Sequence, residues 1–123
     1  MVSEEDSALV RGRIPAHEFR ETMDVSFLLL QAKARLSWQY HNRRAEIWQV
    51  YKGSAGIIRS NTDVESPMEI YSEGAQIVLA QGERHRLIGL DDFCVVAEIW
   101  QHTDQNYPSD ESDIIRVQDD FGR

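Results

Sequence analysis

Two short stretches of the chain carry the donor set of a divalent-metal centre. Alternation along Arg35–His41 places Gln39 and His41 on one strand face, two residues apart. Glu46 follows five residues later, across a tight turn expected at Asn42–Ala45. His85 stands in the second stretch, which carries Gly74, Ala80 and Gly82 ahead of it. An amide oxygen, two imidazoles and a carboxylate on adjacent strands suit a first-row divalent ion. On a six-coordinate ion they would leave open positions for water or substrate, as a Lewis-acid site requires. Zn²⁺, Mn²⁺, Fe²⁺ and Ni²⁺ all accept such a set, so the expected cofactor is one divalent metal ion per chain, its identity open. The alternative is a group of satisfied polar residues in a barrel that holds no metal.

Other side chains around these stretches divide between chemistry and plain structure. Arg35 shares a face with Gln39, so it can contact an anion in a cavity or pair with a carboxylate. Arg84, beside His85, can reach a phosphate or hydroxyl at the rim, although alternation points it away from His85. Trp48 shares a face with Glu46 and can line the cavity as a sugar-stacking platform or serve as core. Arg43 and Arg44 fall in the expected turn and are read as solvated, with contact to a ligand as the alternative. Glu98 sits among Val95, Val96, Ala97 and Ile99; it faces either the cavity, as a proton carrier, or solvent, and solvent is favoured. Trp38, Tyr40, Phe93 and Trp100 read as core or dimer interface, and Cys94 as an inert buried residue. His17 and His102 are expected to do nothing specific.

The elements that must position these residues are short strands. Apolar or alternating runs occur at 25–30, 35–41, 46–51, 55–59, 68–71, 76–79, 84–88, 93–100 and 114–117. Turn signals such as Lys52-Gly53, Glu73-Gly74, Gln81-Gly82 and Asp91-Asp92 separate them about every ten residues. No window has the period of a long amphipathic helix. Roughly nine short strands with regular turns predict an all-β sandwich or barrel. Residues 1–18 are polar and acidic, contain Gly12 and Pro15, and read as a flexible arm ahead of a single domain over 19–123.

Composition sets the outer limits. The 123 residues make room for one domain. The net charge of −8 argues against a general nucleic-acid binder. Most of the excess lies in the two tails, and residues 20–100 are nearly neutral, which leaves room for a local anion site. No run approaches the roughly 20 apolar residues of a membrane helix. The acidic N-terminus lacks the basic region of a secretory leader, and a single cysteine excludes an internal disulfide. A cytoplasmic protein is expected.

Four segments together resemble a known family. They are Arg35-Leu36-Ser37-Trp38-Gln39-Tyr40-His41, Arg44-Ala45-Glu46-Ile47-Trp48, Gly82-Glu83-Arg84-His85-Arg86-Leu87, and the C-terminal run from Asp113 through Ile114-Ile115-Arg116-Val117-Gln118-Asp119-Asp120-Phe121-Gly122 to Arg123. Their order and spacing match the paired motifs of the cupin superfamily. More narrowly, residues 25–123 resemble the C-terminal cupin domain of the bifunctional mannose-6-phosphate isomerase/mannose-1-phosphate guanylyltransferases. The resemblance implies a jelly roll, metal ligands at Gln39, His41, Glu46 and His85, and interconversion of mannose 6-phosphate and fructose 6-phosphate through a cis-enediol. It implies a small-molecule sugar phosphate as partner, with neither nucleic acid nor membrane. A homodimer is expected, its N-terminal arm able to exchange between copies. This chain departs from the family pattern at Asn42, Arg43 and Ile47, where histidines are usual. It also has Lys33 for a turn glycine and Ala80 for a proline. The family's basic segment ahead of the first motif has no counterpart near Glu18–Phe27. Guanylyl transfer is not expected, because the transferase domain is no part of this sequence. The rival expectation is a non-catalytic sugar- or nucleotide-sugar-binding module of polysaccharide synthesis.

Overall fold

The computed structural model describes residues 9–14 and 23–119. Ten strands run in chain order: β1 (Leu9–Ile14), β2 (Met23–Leu30), β3 (Trp38–Tyr40), β4 (Arg44–Lys52), β5 (Ser54–Ser60), β6 (Glu69–Ser72), β7 (Gln76–Leu79), β8 (Arg84–Gly89), β9 (Cys94–His102) and β10 (Ile115–Gln118). They form two five-stranded antiparallel sheets with orders β1-β2-β9-β4-β7 and β10-β3-β8-β5-β6. Apart from the β1–β2 and β5–β6 hairpins, consecutive strands alternate between the sheets, so this is an all-β, single-domain jelly roll. Among the described residues no helix is long and apolar enough to cross a membrane.

Within the expected arm, Leu9–Ile14 pairs with β2, from Leu9 opposite Leu30 to Ile14 opposite Val25. The rest of residues 1–18, His17 included, lies outside the described residues, as do Phe121, Gly122 and Arg123 of the C-terminal motif.

Side-chain alternation divides the interior into two ends. On β4 the inward stripe reads Arg44, Glu46, Trp48, Val50; on β9 it reads Cys94, Val96, Glu98, Trp100. The apolar end packs Val50, Val96 and Cys94 against Leu28, Leu30, Ile57, Ile77, Leu79 and Leu87. Burying each large aliphatic side chain contributes about 1.5–3 kcal/mol, and this end supports the polar one.

The strand expected over Arg35–His41 is shorter than its alternation suggested. Regular pairing covers only Trp38–Tyr40, and Leu36 and Ser37 lie outside any strand. That break lets Leu36 join the core while Trp38 turns outward, its Nε1–H donating to the Asp63 carbonyl at 2.8 Å. On the same outer face Arg86 is 1% exposed. It donates to the Leu36 carbonyl at 2.9 Å, to Glu65 at 2.8 Å and to the Gln118 carbonyl at 3.2 Å, tying β10 and the 61–68 segment to the sheet.

Both altered turn positions have a physical account. Lys33 adopts a left-handed backbone that a glycine would take without strain, with φ of 66°. Ala80 uses the N–H that a proline would lack, donating it to Glu83 Oε1 at 2.8 Å.

Candidate metal centre

His41, Glu46 and His85 converge inside the polar end of the jelly roll. One potential ligand atom from each lies within 4.8 Å of the others. They are 2%, 1% and 2% exposed, so the cluster is sealed from bulk water. Pairing between strands explains the convergence. Gln39 lies opposite His85 on β8. Gly82, in the turn before β8, donates its N–H to the His41 carbonyl at 2.9 Å, so the two sequence motifs bind each other directly. Glu46 enters from the facing sheet on β4.

Both imidazoles are held with Nε2 toward the centre. His41 Nδ1 donates to the Asp113 carbonyl at 2.6 Å, and His85 Nδ1 to the Glu83 carbonyl at 3.1 Å. A nitrogen facing a carbonyl must carry the proton, which leaves each Nε2 with a lone pair. The orienting residues are themselves held by their carboxylates. Asp113 accepts the N–H groups of Asn42 and Arg43, both at 2.9 Å, and Glu83 takes both ends of a fork from Arg59 at 2.7 and 3.2 Å.

This donor set fits a metal ion. His41 Nε2 lies 3.1 Å from Glu46 Oε2, so a lone pair faces a carboxylate oxygen, an arrangement that a cation beside them stabilises. His85 Nε2 is buried with no hydrogen-bond partner, an uncommon and costly state that a bound ion removes. Two histidines and a glutamate with bond lengths near 2.0–2.2 Å form an ordinary first-row site.

Arg44 supplies positive charge to the centre. The sequence reading placed it in a solvated turn, but β4 starts at Arg44 and the side chain is 6% exposed. Its Nε donates to Glu46 Oε2 at 2.7 Å, and one terminal nitrogen lies 3.3 Å from His41 Nε2. The guanidinium lies over the Trp100 ring at 3.6 Å. The other terminal nitrogen donates to Ser109 Oγ at 2.9 Å and to the Asp110 carbonyl at 3.2 Å. Alternation correctly puts Arg44 and Glu46 on one face; what it lacks is the 103–114 segment that closes over that face.

The titration behaviour follows from these contacts. Burial alone would push the Glu46 carboxyl up. Positive charge outweighs it: His41 in its protonated form, which would donate Nε2–H to Glu46, together with protonated His85 and Arg44, favours the carboxylate and holds the carboxyl well below the usual range. Burial pushes His85 down to about 4, only partly offset by Glu46.

The other expected site residues have varied placements. Gln39 is half-buried on the same side of its sheet as His85, and its Oε1 accepts from Ser37 Oγ at 2.5 Å. Trp48 is buried, donates Nε1–H to Glu46 Oε1 at 2.8 Å and meets the His85 ring edge-on at 5.2 Å, forming a wall of the centre. Arg35 is exposed and bridges Ile88 through its backbone, because the break at 36–37 resets the alternation and takes it off Gln39's face. Arg84 points away from His85, stacks over Tyr40 at 3.8 Å and pairs with Asp63 at 2.8 Å. Neither arginine joins the cluster.

Glu98 requires a correction. It faces inward, not to solvent, and is 5% exposed. It lies opposite Trp48 and Ser26 and accepts Trp100 Nε1–H at 2.7 Å. Phe93, expected in core or interface, is 49% exposed.

No family model and no curated protein matches the sequence. Solved structures do match in shape. The Bacillus subtilis oxalate decarboxylase superposes with a TM-score of 0.71 at 16% identity, over 89% of this chain and 28% of that one. A cupin 2 conserved barrel domain protein from Salinispora arenicola gives 0.63 at 18% identity, over 77% and 76%. A structure of DMSP lyases gives 0.63 at 16% identity, with this chain spanning 80% of its own length and 45% of that chain. These likenesses define a cupin fold around a possible His/Glu/His metal site. Structural neighbours with this fold include lyases, decarboxylases and oxidases, and at such identities they establish shape, not a shared reaction.

Proposed function

We propose that the chain is a divalent-metal-dependent aldose–ketose isomerase acting on a sugar phosphate of the mannose 6-phosphate type. The observation that carries this reading is the convergence of His41, Glu46 and His85 at the points the sequence motifs require. His41, Glu46 and His85 would hold the ion, with Gln39 beside them. A bound ion would polarise the substrate carbonyl and stabilise negative charge developing on its oxygen.

The protein's own residues account for the rest. His41 and His85 have both ring nitrogens committed and are no proton carriers. Glu98 is the remaining buried carboxylate on the inner face of the β4–β9 sheet. Its carboxylate would take the proton from the carbon next to the carbonyl, leaving a cis-enediol, and return it to the neighbouring carbon. Trp100 Nε1–H fixes one Glu98 oxygen and so orients the carboxylate for this. Trp48 and Trp100 give the sugar ring apolar walls.

A second reading is a non-catalytic sugar- or nucleotide-sugar-binding metal cupin. The placement of Arg35 and Arg84 favours it, since both expected phosphate contacts lie away from the cluster. Turnover separates the two. Metal-loaded protein is expected to convert mannose 6-phosphate to fructose 6-phosphate, and His85→Ala to lose both metal and activity. Saturable sugar-phosphate binding with zero turnover in fully loaded protein refutes the isomerase reading.

A further inference from the structure

Arg44 makes two of the three contacts expected of a cation in this centre. Its guanidinium touches Glu46 Oε2 and His41 Nε2, two of the three atoms that would hold a metal. It also holds the segment that closes the mouth. Ser109 Oγ and the Asp110 carbonyl accept from the same side chain. Ser109 Oγ in turn donates to Asp113 Oδ2 at 2.6 Å, and Asp113 anchors His41. One arginine thus joins the metal ligands to residues 103–114.

A divalent ion bonded to Glu46 and His41 would stand within a few ångströms of the guanidinium. Repulsion between them is strong in a buried site, where little water screens it. The two cations also compete for the Glu46 Oε2 and His41 Nε2 lone pairs.

We propose that Arg44 is the resident cation of the metal-free centre and that an arriving divalent ion displaces it from Glu46 and His41, loosening the segment around Ser109 and Asp110 while Asp113 stays docked on His41. The proposal rests on the metal reading of the cluster and adds a function for a residue outside its ligand set. By reciprocity, whatever holds Arg44 on Glu46 weakens ion binding, and ion binding weakens the hold on the segment. The guanidinium would then lie free beside the ion, where it can pair with an anionic group of the substrate.

Titration calorimetry with Mn²⁺ and Zn²⁺ tests the displacement. Arg44→Gln, confirmed as folded by circular dichroism, is expected to bind either ion about tenfold more tightly than wild type. Arg44→Lys, which keeps the charge, is expected to stay near wild type. If Arg44→Gln binds equally or more weakly, Arg44 supports the ion and the proposal is overturned while the metal site stands. If neither wild type nor Arg44→Gln binds either ion, the metal reading falls and takes the proposal with it. Cleavage after Glu111 by a glutamate-specific protease reads the segment. Metal is expected to speed it several-fold in wild type and to have little effect in Arg44→Gln; slower or unchanged cleavage of loaded wild type refutes the loosening.

Discussion

His41 and Asp113 lie 72 residues apart in sequence and are joined by a 2.6 Å hydrogen bond from the imidazole Nδ1–H to the main-chain carbonyl. The Asp113 carboxylate meanwhile caps the two N–H groups that follow His41, those of Asn42 and Arg43. Orientation of this ligand therefore depends on a side chain that never approaches the metal position. Asp113→Ala is expected to weaken metal binding about tenfold. It also leaves two amide donors without partners, a loss of about 1–3 kcal/mol. Calorimetry and urea unfolding check the two effects separately.

Acid should weaken the metal-free protein. His85 titrates near 4 when folded against 6.5 ordinarily. Between those values the unfolded chain binds more protons, so stability falls as pH drops from 6.5 toward 4. The full loss from this group is on the order of 3 kcal/mol. Glu46 adds to it in the same direction, since a carboxyl depressed by folding gives up its contribution as pH falls below its unfolded value of 4.5. Urea midpoints at pH 7.5, 6, 5 and 4 should decline in order. A midpoint unchanged from pH 7 to 5 contradicts the burial of a neutral His85.

Glu46 and Arg44 form a buried pair whose halves need each other. Glu46→Gln leaves the guanidinium in the interior without its counter-charge and should cost about 3–5 kcal/mol. Combining it with Arg44→Met removes both charges and should recover most of that loss. A double-mutant cycle by chemical denaturation measures the coupling. Additive losses would mean that the two side chains do not interact.

Glu98→Gln separates proton transfer from metal binding. The amide oxygen can still accept Trp100 Nε1–H, so fold and metal content should be retained. Isomerase turnover should fall at least about a hundredfold. Wild-type turnover in the variant, measured alongside its metal content, would remove Glu98 from the reaction.

Lys33 occupies a left-handed backbone position with φ of 66°. Lys33→Gly should relieve about 1 kcal/mol of strain and raise the melting temperature, despite losing the exposed ion pair with Asp91. A lower melting temperature would show that the side chain contributes more than the backbone costs.

The jelly roll and the three residues of the buried cluster were legible because each depends on local order. Turn residues set the strand lengths, and period-two alternation sets the faces. Arg44 was misread because its burial is decided by Ser109 and Asp110, some 65 residues away. Glu98 was misread because its strand is apolar on both faces, with Val95, Ala97 and Ile99 half-buried opposite Val96. Alternation then names two faces without telling which is inside. Arg35 was misplaced by two irregular residues, Leu36 and Ser37, that carry no turn signal. The pairing of Leu9–Ile14 with β2 escaped notice because Arg11, Gly12 and Arg13 interrupt its apolar pattern.

The anchoring of His41 by Asp113 also fixes when the centre can exist. During synthesis, β3 and β8 leave the ribosome well before residue 113 does. Until that carbonyl docks, His41 is free to spin and present either nitrogen, so an unfinished chain has no finished claw for a cation. On the metal reading, an ion would find its complete site only once Asp113 has docked on His41.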